Sequence, residues 1–197
     1  MGEVVKPTFV GHPVATLLFA CTLGVWLVIE FRQGLNRRAD ATNTDRGSLA
    51  FLRACALAGA LLAALASKVT STAFSYGMVM FGIGLAVAWT GIALRWWCFR
   101  TLGRYFTFTV MTSANQPVIA TGPYRFLRHP SYAGLLLIIV GIGVGYGNWL
   151  SLAALILLPL IGFVYRIRVE EAALATTLGD AYTTYARGRK RLIPLVW

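Results

Sequence analysis

Acidic groups, histidine and cysteine are scarce in this chain: seven Asp and Glu, two His and three Cys among 197 residues. The two histidines, His12 and His129, lie far apart and give no spacing for a metal centre. Cys21, Cys55 and Cys98 fall inside or beside apolar runs, without the spacing of a metal site or a disulfide framework. They read as small buried apolar side chains. Internal repeats and low-complexity tracts are lacking. The first apolar run is followed by Glu30-Phe-Arg-Gln rather than by a small-residue cleavage site, so it reads as a retained span.

What is abundant is apolar surface. Hydrophobic residues make up 57% of the chain and the mean hydropathy is +0.67, which points to an integral membrane protein rather than a soluble domain. The length suits a single membrane domain, 1–197, with three spans in 1–99. The net charge of +11 does not indicate nucleic acid, because the cations cluster at the ends of apolar segments.

A span needs roughly 20 apolar residues. Five candidates emerge, at about 14–31, 49–66, 75–99, 132–146 and 149–165, the last two short and joined by a tight Gly147-Asn148 turn. With the amino terminus outside, sixteen of the eighteen Lys and Arg lie inside, including Arg32, Arg37, Arg38, Arg46, Arg53 and Arg95, and only Lys6 and Lys68 lie outside. The expected fold is therefore all-α: a polytopic membrane helix bundle of about five transmembrane helices, amino terminus outside and carboxyl terminus cytoplasmic. Glycines in the third and fourth spans (Gly84, Gly91, Gly141) predict close helix packing. Residues 100–122 predict a short interfacial hairpin or irregular flap. Residues 167–187 predict a cytoplasmic amphipathic helix, interrupted at Gly179.

The chemistry is expected where polar groups are costly. Gly122-Pro-Tyr-Arg-Phe-Leu-Arg-His-Pro-Ser-Tyr-Ala-Gly134 sits between spans, and Arg166-Ile-Arg-Val-Glu-Glu171 ends the fifth. Pro130 suits the first turn of a helix, and the amides of that helix start, with Arg128 and His129, would make an anion-binding corner. Arg166 and Glu170 are four residues apart, the spacing of a helical salt bridge; the adjacent carboxylates Glu170 and Glu171 would equally suit an ammonium or ribose hydroxyls.

In order, G-x-Y-x-x-x-R-H-P-x-Y-x-G, a helical hairpin, R-x-x-x-E-E-x-x-L, Gly179-x-x-Tyr182-x-x-Tyr185 and Ile193-Pro194 resemble the isoprenylcysteine carboxyl methyltransferase family and the related phospholipid methyltransferases. The resemblance covers Leu102 to Pro194, about half the chain. It implies S-adenosylmethionine as cofactor, with S-adenosylhomocysteine as product, bound on the cytoplasmic side by the 100–197 half. It implies that His129, Tyr132, Gly134 and Glu170 line the cofactor, that Tyr124 and Arg128 support the pocket, and that Tyr182 and Tyr185 help form its lid. Arg166 and Glu171 match the Arg/Glu pair near the reacting centre, Arg166 orienting a carboxylate and Glu171 holding Arg166. The acceptor is expected to be a lipophilic substrate that reaches the site from the bilayer among membrane lipids. A carboxylate acceptor needs no general base, whereas a phospholipid amine would need one, and Glu171 is the candidate. Two other readings stand beside it. A sterol-type reductase would use NADPH through R-H-x-N-Y, where this chain has Pro130 and Ser131. A non-enzymatic membrane protein would keep the pocket only to bind a lipid or a partner.

Overall fold

The computed structural model describes residues 9–36, 39–69, 72–194 and 196–197. Lys6, Arg37 and Arg38, counted above in the charge asymmetry, lie outside these residues. Six helices are present among them: α1 (Pro13–Gly34), α2 (Ser48–Ala66), α3 (Gly77–Leu102), α4 (Pro130–Tyr146), α5 (Trp149–Leu178) and α6 (Asp180–Ala186). Helices α1, α2, α3 and α5 are long and apolar enough to cross a membrane, and α4 is a shorter apolar helix of 17 residues. The chain is a polytopic helical membrane protein whose large apolar side chains, such as Val14, Leu17, Phe31 and Leu61, face outward.

Two pairs of helices make the frame, and small residues bring each pair together. In the α3–α4 pair, Gly84 and Gly91 face Gly141 and Gly134. A Cβ on Gly84 would lie 2.5 Å from the Gly141 carbonyl oxygen, and one on Gly91 would lie 2.6 Å from that of Gly134. Backbone packing at this distance is what holds helices together where lipid offers no hydrophobic drive. The α2–α5 pair meets at Gly59, against Ala154 and Pro159, and at Gly162, against Leu52. The hydroxyl of Ser151 also donates to the Ala63 carbonyl across 2.8 Å.

The α4–α5 hairpin turns at Gly147, whose φ of 77° is the left-handed conformation glycine adopts without strain. Asn148 caps α5 by accepting from the Ser151 amide, and donates from its other side to Thr72 Oγ1 at 2.8 Å. Measured from this turn, the start of α4 and Arg166 of α5 both lie about 25 Å along their helices. The polar segment before α4 and the arginine of α5 are thus level with each other, close to one face of a bilayer core about 30 Å thick.

One expectation is corrected, and one choice left open is decided. The amphipathic stretch after the fifth span is not a separate surface helix: α5 runs unbroken for 30 residues to Leu178, so Arg166, Glu170 and Glu171 belong to the spanning helix itself. The break does come at Gly179, with α6 beyond it. Residues 106–121 form a flap, not a hairpin. Its one strand, β2 (Met111–Thr112), pairs antiparallel with β1 (Thr42–Asn43) in the α1–α2 loop.

Helix α1 stands to one side of α3. Its main polar tie is Glu30, paired with Arg95 of α3, whose guanidinium also donates to the Ser131 hydroxyl at 2.7 Å and its carbonyl at 3.0 Å. That satisfies both charges at membrane depth.

Candidate active site

The segment before α4 is held by the chain's own tail. Gly122 adopts a φ of +55° at the start of a short 3-10 turn that buries Pro123 and Tyr124. The amides of Arg128 and His129 donate to the carbonyls of Lys190 and Arg191, each at 2.9 Å. The Arg128 side chain donates to the Arg189 carbonyl at 2.9 Å, the Ala186 carbonyl at 2.8 Å and Glu171 at 3.1 Å. Tyr185 donates its hydroxyl to the Tyr124 carbonyl at 2.9 Å.

These bonds revise the anion-binding corner. The Arg128 and His129 amides are taken by the tail, those of Tyr132 and Ala133 turn back on the His129 carbonyl, and Arg128 acts as a staple between α5 and the tail. Glu171 belongs to the same staple. It accepts from Arg128 and from Arg191 Nε (2.9 Å) and lies 3.2 Å from His129 Nε2.

Arg166 is built differently from the expectation. Only 3% exposed, it does not pair with Glu171. Its Nη1 donates to Asp45 Oδ1 at 2.7 Å and Ser48 Oγ at 2.8 Å, its Nε donates to the Tyr132 hydroxyl at 2.8 Å, and its Nη2 donates to the Phe108 carbonyl. Tyr132 passes its own hydroxyl proton toward Glu170 Oε2 at 2.7 Å. The result is one hydrogen-bonded row, Asp45–Arg166–Tyr132–Glu170, crossing from α2 to α5.

Asp45 and Ser48 went unread in the sequence. The signal was modest: one of seven acidic residues, just before a span that otherwise carried no motif. Asp45 also opens α2, accepting from the Leu49 amide at 3.1 Å, and it accepts from the Val110 amide of the flap at 3.1 Å.

Two cavities meet at this row. A narrow polar one lies under the flap and is lined by Tyr124, Arg128, His129, Tyr132, Arg166, Glu170, Tyr182 and Tyr185, with Phe106, Val118, Leu174 and Leu178 as apolar walls. Eight of the ten expected site residues are therefore brought together. Gly134 is not among them: it packs on α3, where a Cβ would lie 3.0 Å from the Gly91 carbonyl oxygen and 3.1 Å from the Arg95 amide nitrogen, a tight fit. Glu171 faces an outer cleft with Arg168 and Arg187. The second cavity, about 810 Å³, is an apolar groove between α1, α2, α4 and α5. Tyr132, Phe106, Thr107 and Arg166 belong to both walls.

Burial would raise the Asp45 carboxyl pKa, but the Leu49 amide, Arg166 and the Val110 amide outweigh it and hold it below its ordinary 3.8. A depressed carboxyl stabilises the fold above the unfolded-state value and loses that contribution as pH falls through the folded one. The contribution of Asp45 to melting temperature in detergent is thus expected to stay flat from pH 8 to about 5 and to fall away only below about pH 4. Asp45→Asn should lower the neutral plateau and remove that acid limb. Equal melting of the variant and the parent at pH 7 would exclude the role. Tyr185 is pushed up to about 12 by burial, so its hydroxyl stays a donor throughout this range.

The tyrosine hydroxyl of Tyr182 is buried on the polar cavity without a partner among the described residues. An unmade hydrogen bond of this kind is costly, so this hydroxyl is open to water or to a ligand.

The sequence profile of the isoprenylcysteine carboxyl methyltransferase family matches residues 83–176. The chain is 32% identical over 96 residues to the protein-S-isoprenylcysteine O-methyltransferase of Schizosaccharomyces pombe, covering 48% of this chain and 41% of that protein. It is 32% identical over 115 residues to the Arabidopsis thaliana protein-S-isoprenylcysteine O-methyltransferase B, covering 57% and 58%. The match thus spans about half the length of these curated relatives. A solved structure of a eukaryotic intramembrane Ras methyltransferase, an isoprenylcysteine carboxyl methyltransferase, has the same fold with a TM-score of 0.66 at 19% identity, over 98% of this chain and 73% of that one. The matched residues run from the glycine-packed α3 through the R-H-P segment to the arginine row of α5, and over them this chain is similar to the isoprenylcysteine carboxyl methyltransferase family.

Proposed function

We propose that this chain is a membrane methyltransferase that moves a methyl group from S-adenosylmethionine to the carboxylate of a lipophilic substrate, as in isoprenylcysteine O-methylation. The single observation that carries it is the shared wall. A polar cavity with an unsatisfied tyrosine hydroxyl and an apolar groove touch only through Tyr132, Arg166 and the flap beside them.

S-adenosylmethionine, when bound, supplies an electrophilic methyl on a cationic sulfur, from which a carboxylate takes it without losing a proton. An oxygen–carbon bond forms, the sulfur–carbon bond breaks, and its electron pair stays on sulfur. Glu170 has one carboxylate oxygen uncommitted, and with the Tyr182 hydroxyl it suits an ammonium or ribose hydroxyls. The rings of Tyr105, Phe106 and Tyr124 suit a sulfonium, an attraction worth about 0.5–2 kcal/mol. The apolar walls at Val118, Leu174 and Leu178 suit an adenine ring. Arg166, fixed by four bonds, holds Tyr132 at the boundary of the two cavities. The reaction turns an anion and a cation into two neutral products, so a water-poor wall favours it.

We further infer five crossings, the α4 helix included, with the amino terminus outside and the catalytic half, 100–197, opening to the cytoplasm. The supports are the inward excess of basic residues and the common depth of the α4 start and Arg166. The whole chain works as one domain in this reading, because Asp45 of the amino-terminal half completes the row.

Calorimetry on the detergent-purified protein tests the proposal. S-adenosylhomocysteine is expected to bind in the micromolar range, NADPH not at all, and Tyr182→Phe to weaken binding about 5- to 10-fold. Labelled methyl should pass from S-adenosylmethionine to the free acid of an S-isoprenylated cysteine. Binding of NADPH alone would hand the site to a reductase.

A further inference from the structure

Of the α2 residues that line the apolar groove, Leu49, Arg53, Ala56, Ala60 and Ala63 form one stripe, flanked by Leu52 and Ala64. Four of the five positions are small or apolar, and the alanines make the space. The fifth is a cation. Arg53 lines the groove at its inner end and also lines the small cleft beside Thr107, Phe108 and Thr109 of the flap. It is exposed, and no side chain or carbonyl among the described residues bonds to it. A cation on the groove face of a spanning helix is expensive unless something answers it.

Arg166 is the opposite case. Its charge is met by Asp45, and four of its five N–H donors go to Asp45, Ser48, Tyr132 and the Phe108 carbonyl. An incoming anion would find a single N–H left on Arg166 and a charge already answered by Asp45. The uncommitted cation at the mouth of the groove is Arg53.

From this contrast we infer that Arg53 is the residue that receives the acceptor's carboxylate, while the apolar groove takes its tail. The inference rests on the methyltransferase reading and assigns within it a substrate-binding residue on α2. The groove supplies the measure of the tail. It runs from Tyr132 to Tyr146 along α4 and from Leu155 to Arg166 along α5. These are 14 and 11 residue steps, about 21 and 17 Å at 1.5 Å per residue. An extended chain advances about 1.2 Å per bond, so the groove holds roughly 15 bonds of tail, lying across the bilayer with the acid at the Arg53 end. A shorter tail would leave the far end, near Tyr146, unfilled. A carboxylate at Arg53 lies beside Phe108, whose carbonyl reaches Arg166, so the acid arrives at the shared wall of the two cavities.

The test uses the full chain in phosphatidylcholine nanodiscs, with the free acid of an S-isoprenylated cysteine, its methyl ester, and variants R53A and R53K. Arg53→Ala is expected to raise KM for the acid about 10- to 100-fold. It should leave kcat within about threefold and S-adenosylhomocysteine affinity unchanged. Direct binding should show a preference for acid over ester in the parent, none in Arg53→Ala, and most of it restored in Arg53→Lys, which keeps the charge. An unchanged KM together with an unchanged acid preference would overturn the assignment. So would an effect of Arg53→Ala seen only when phosphatidylglycerol is added, which would give this cation to a lipid headgroup. If the parent transfers no methyl at all, the methyltransferase reading falls, and the acid-over-ester preference still judges Arg53 on its own.

Discussion

Arg166→Ala is expected to abolish methyl transfer and to lower stability by about 3–5 kcal/mol, because removing one partner of a buried pair strands the other. Arg166 is 3% exposed and joins four groups from three parts of the chain: Asp45 and Ser48 before and at the start of α2, Tyr132 of α4, and Phe108 of the flap. Lysine keeps the charge but has a single donor centre in place of the planar fork. Arg166→Lys should therefore fold and still lose about 100-fold or more in rate, since a misplaced wall misaligns both cavities. The double variant Asp45→Ala, Arg166→Leu removes both charges together. It should be more stable than Arg166→Ala alone and equally inactive. Chemical unfolding in detergent and a labelled-methyl assay read the two effects separately. Full activity in Arg166→Lys would refute the bridging role.

Gly141→Ala, a change of one methyl group, is expected to be nearly as damaging. Its Cβ would lie 2.5 Å from both the Ala88 amide nitrogen and the Gly84 carbonyl oxygen, which are backbone atoms that cannot rotate away. Helices α3 and α4 must separate, at a cost at or above the usual ~1–3 kcal/mol of overpacking. The damage travels, because α4 carries His129 and Tyr132 at its first turn. S-adenosylhomocysteine binding should weaken along with thermal stability. Gly82→Ala is the control: nothing lies within 4 Å of its Cβ, and helix propensity favours alanine there by about 1 kcal/mol. If Gly141→Ala melts with Gly82→Ala, the close α3–α4 contact does not hold the site.

The helices were legible because a span advertises itself by length and hydropathy. The positions 14–31, 49–66, 75–99 and 132–146 differ from the observed helices by three residues or fewer at each end. The continuity of α5 was not legible. Arg166, Arg168, Glu170 and Glu171 break the apolar run, and a sequence cannot show that the helix carries them onward while neighbouring elements cover the charges. The same limit governs the site. The motif residues are close in sequence and announce themselves together, so Tyr124, His129, Tyr132 and Glu170 are read as a set, and they line one cavity. Partnership across the chain was hidden. The resemblance implies Arg166 and Glu171 as partners, yet each faces a different side of α5 and finds a different set of groups. Gly134 carried the motif's signature, but its backbone is needed against α3. Asp45 had no motif around it, only its scarcity.

The pairing of Asp45 with Arg166 joins residues 121 apart in the chain. During synthesis Asp45 leaves the ribosome with the start of α2 and does not meet Arg166 until α5 has been made and inserted. The carboxylate must wait at the water side of the membrane, and so must the flap that later bonds to it. The charged row therefore cannot close before α5 is in place, because Asp45 and Arg166 lie far apart in the order of synthesis. Slow docking of α5 on α2 would prolong the interval in which an arginine and an aspartate stand unpaired at the bilayer surface, the state that quality-control proteases meet first.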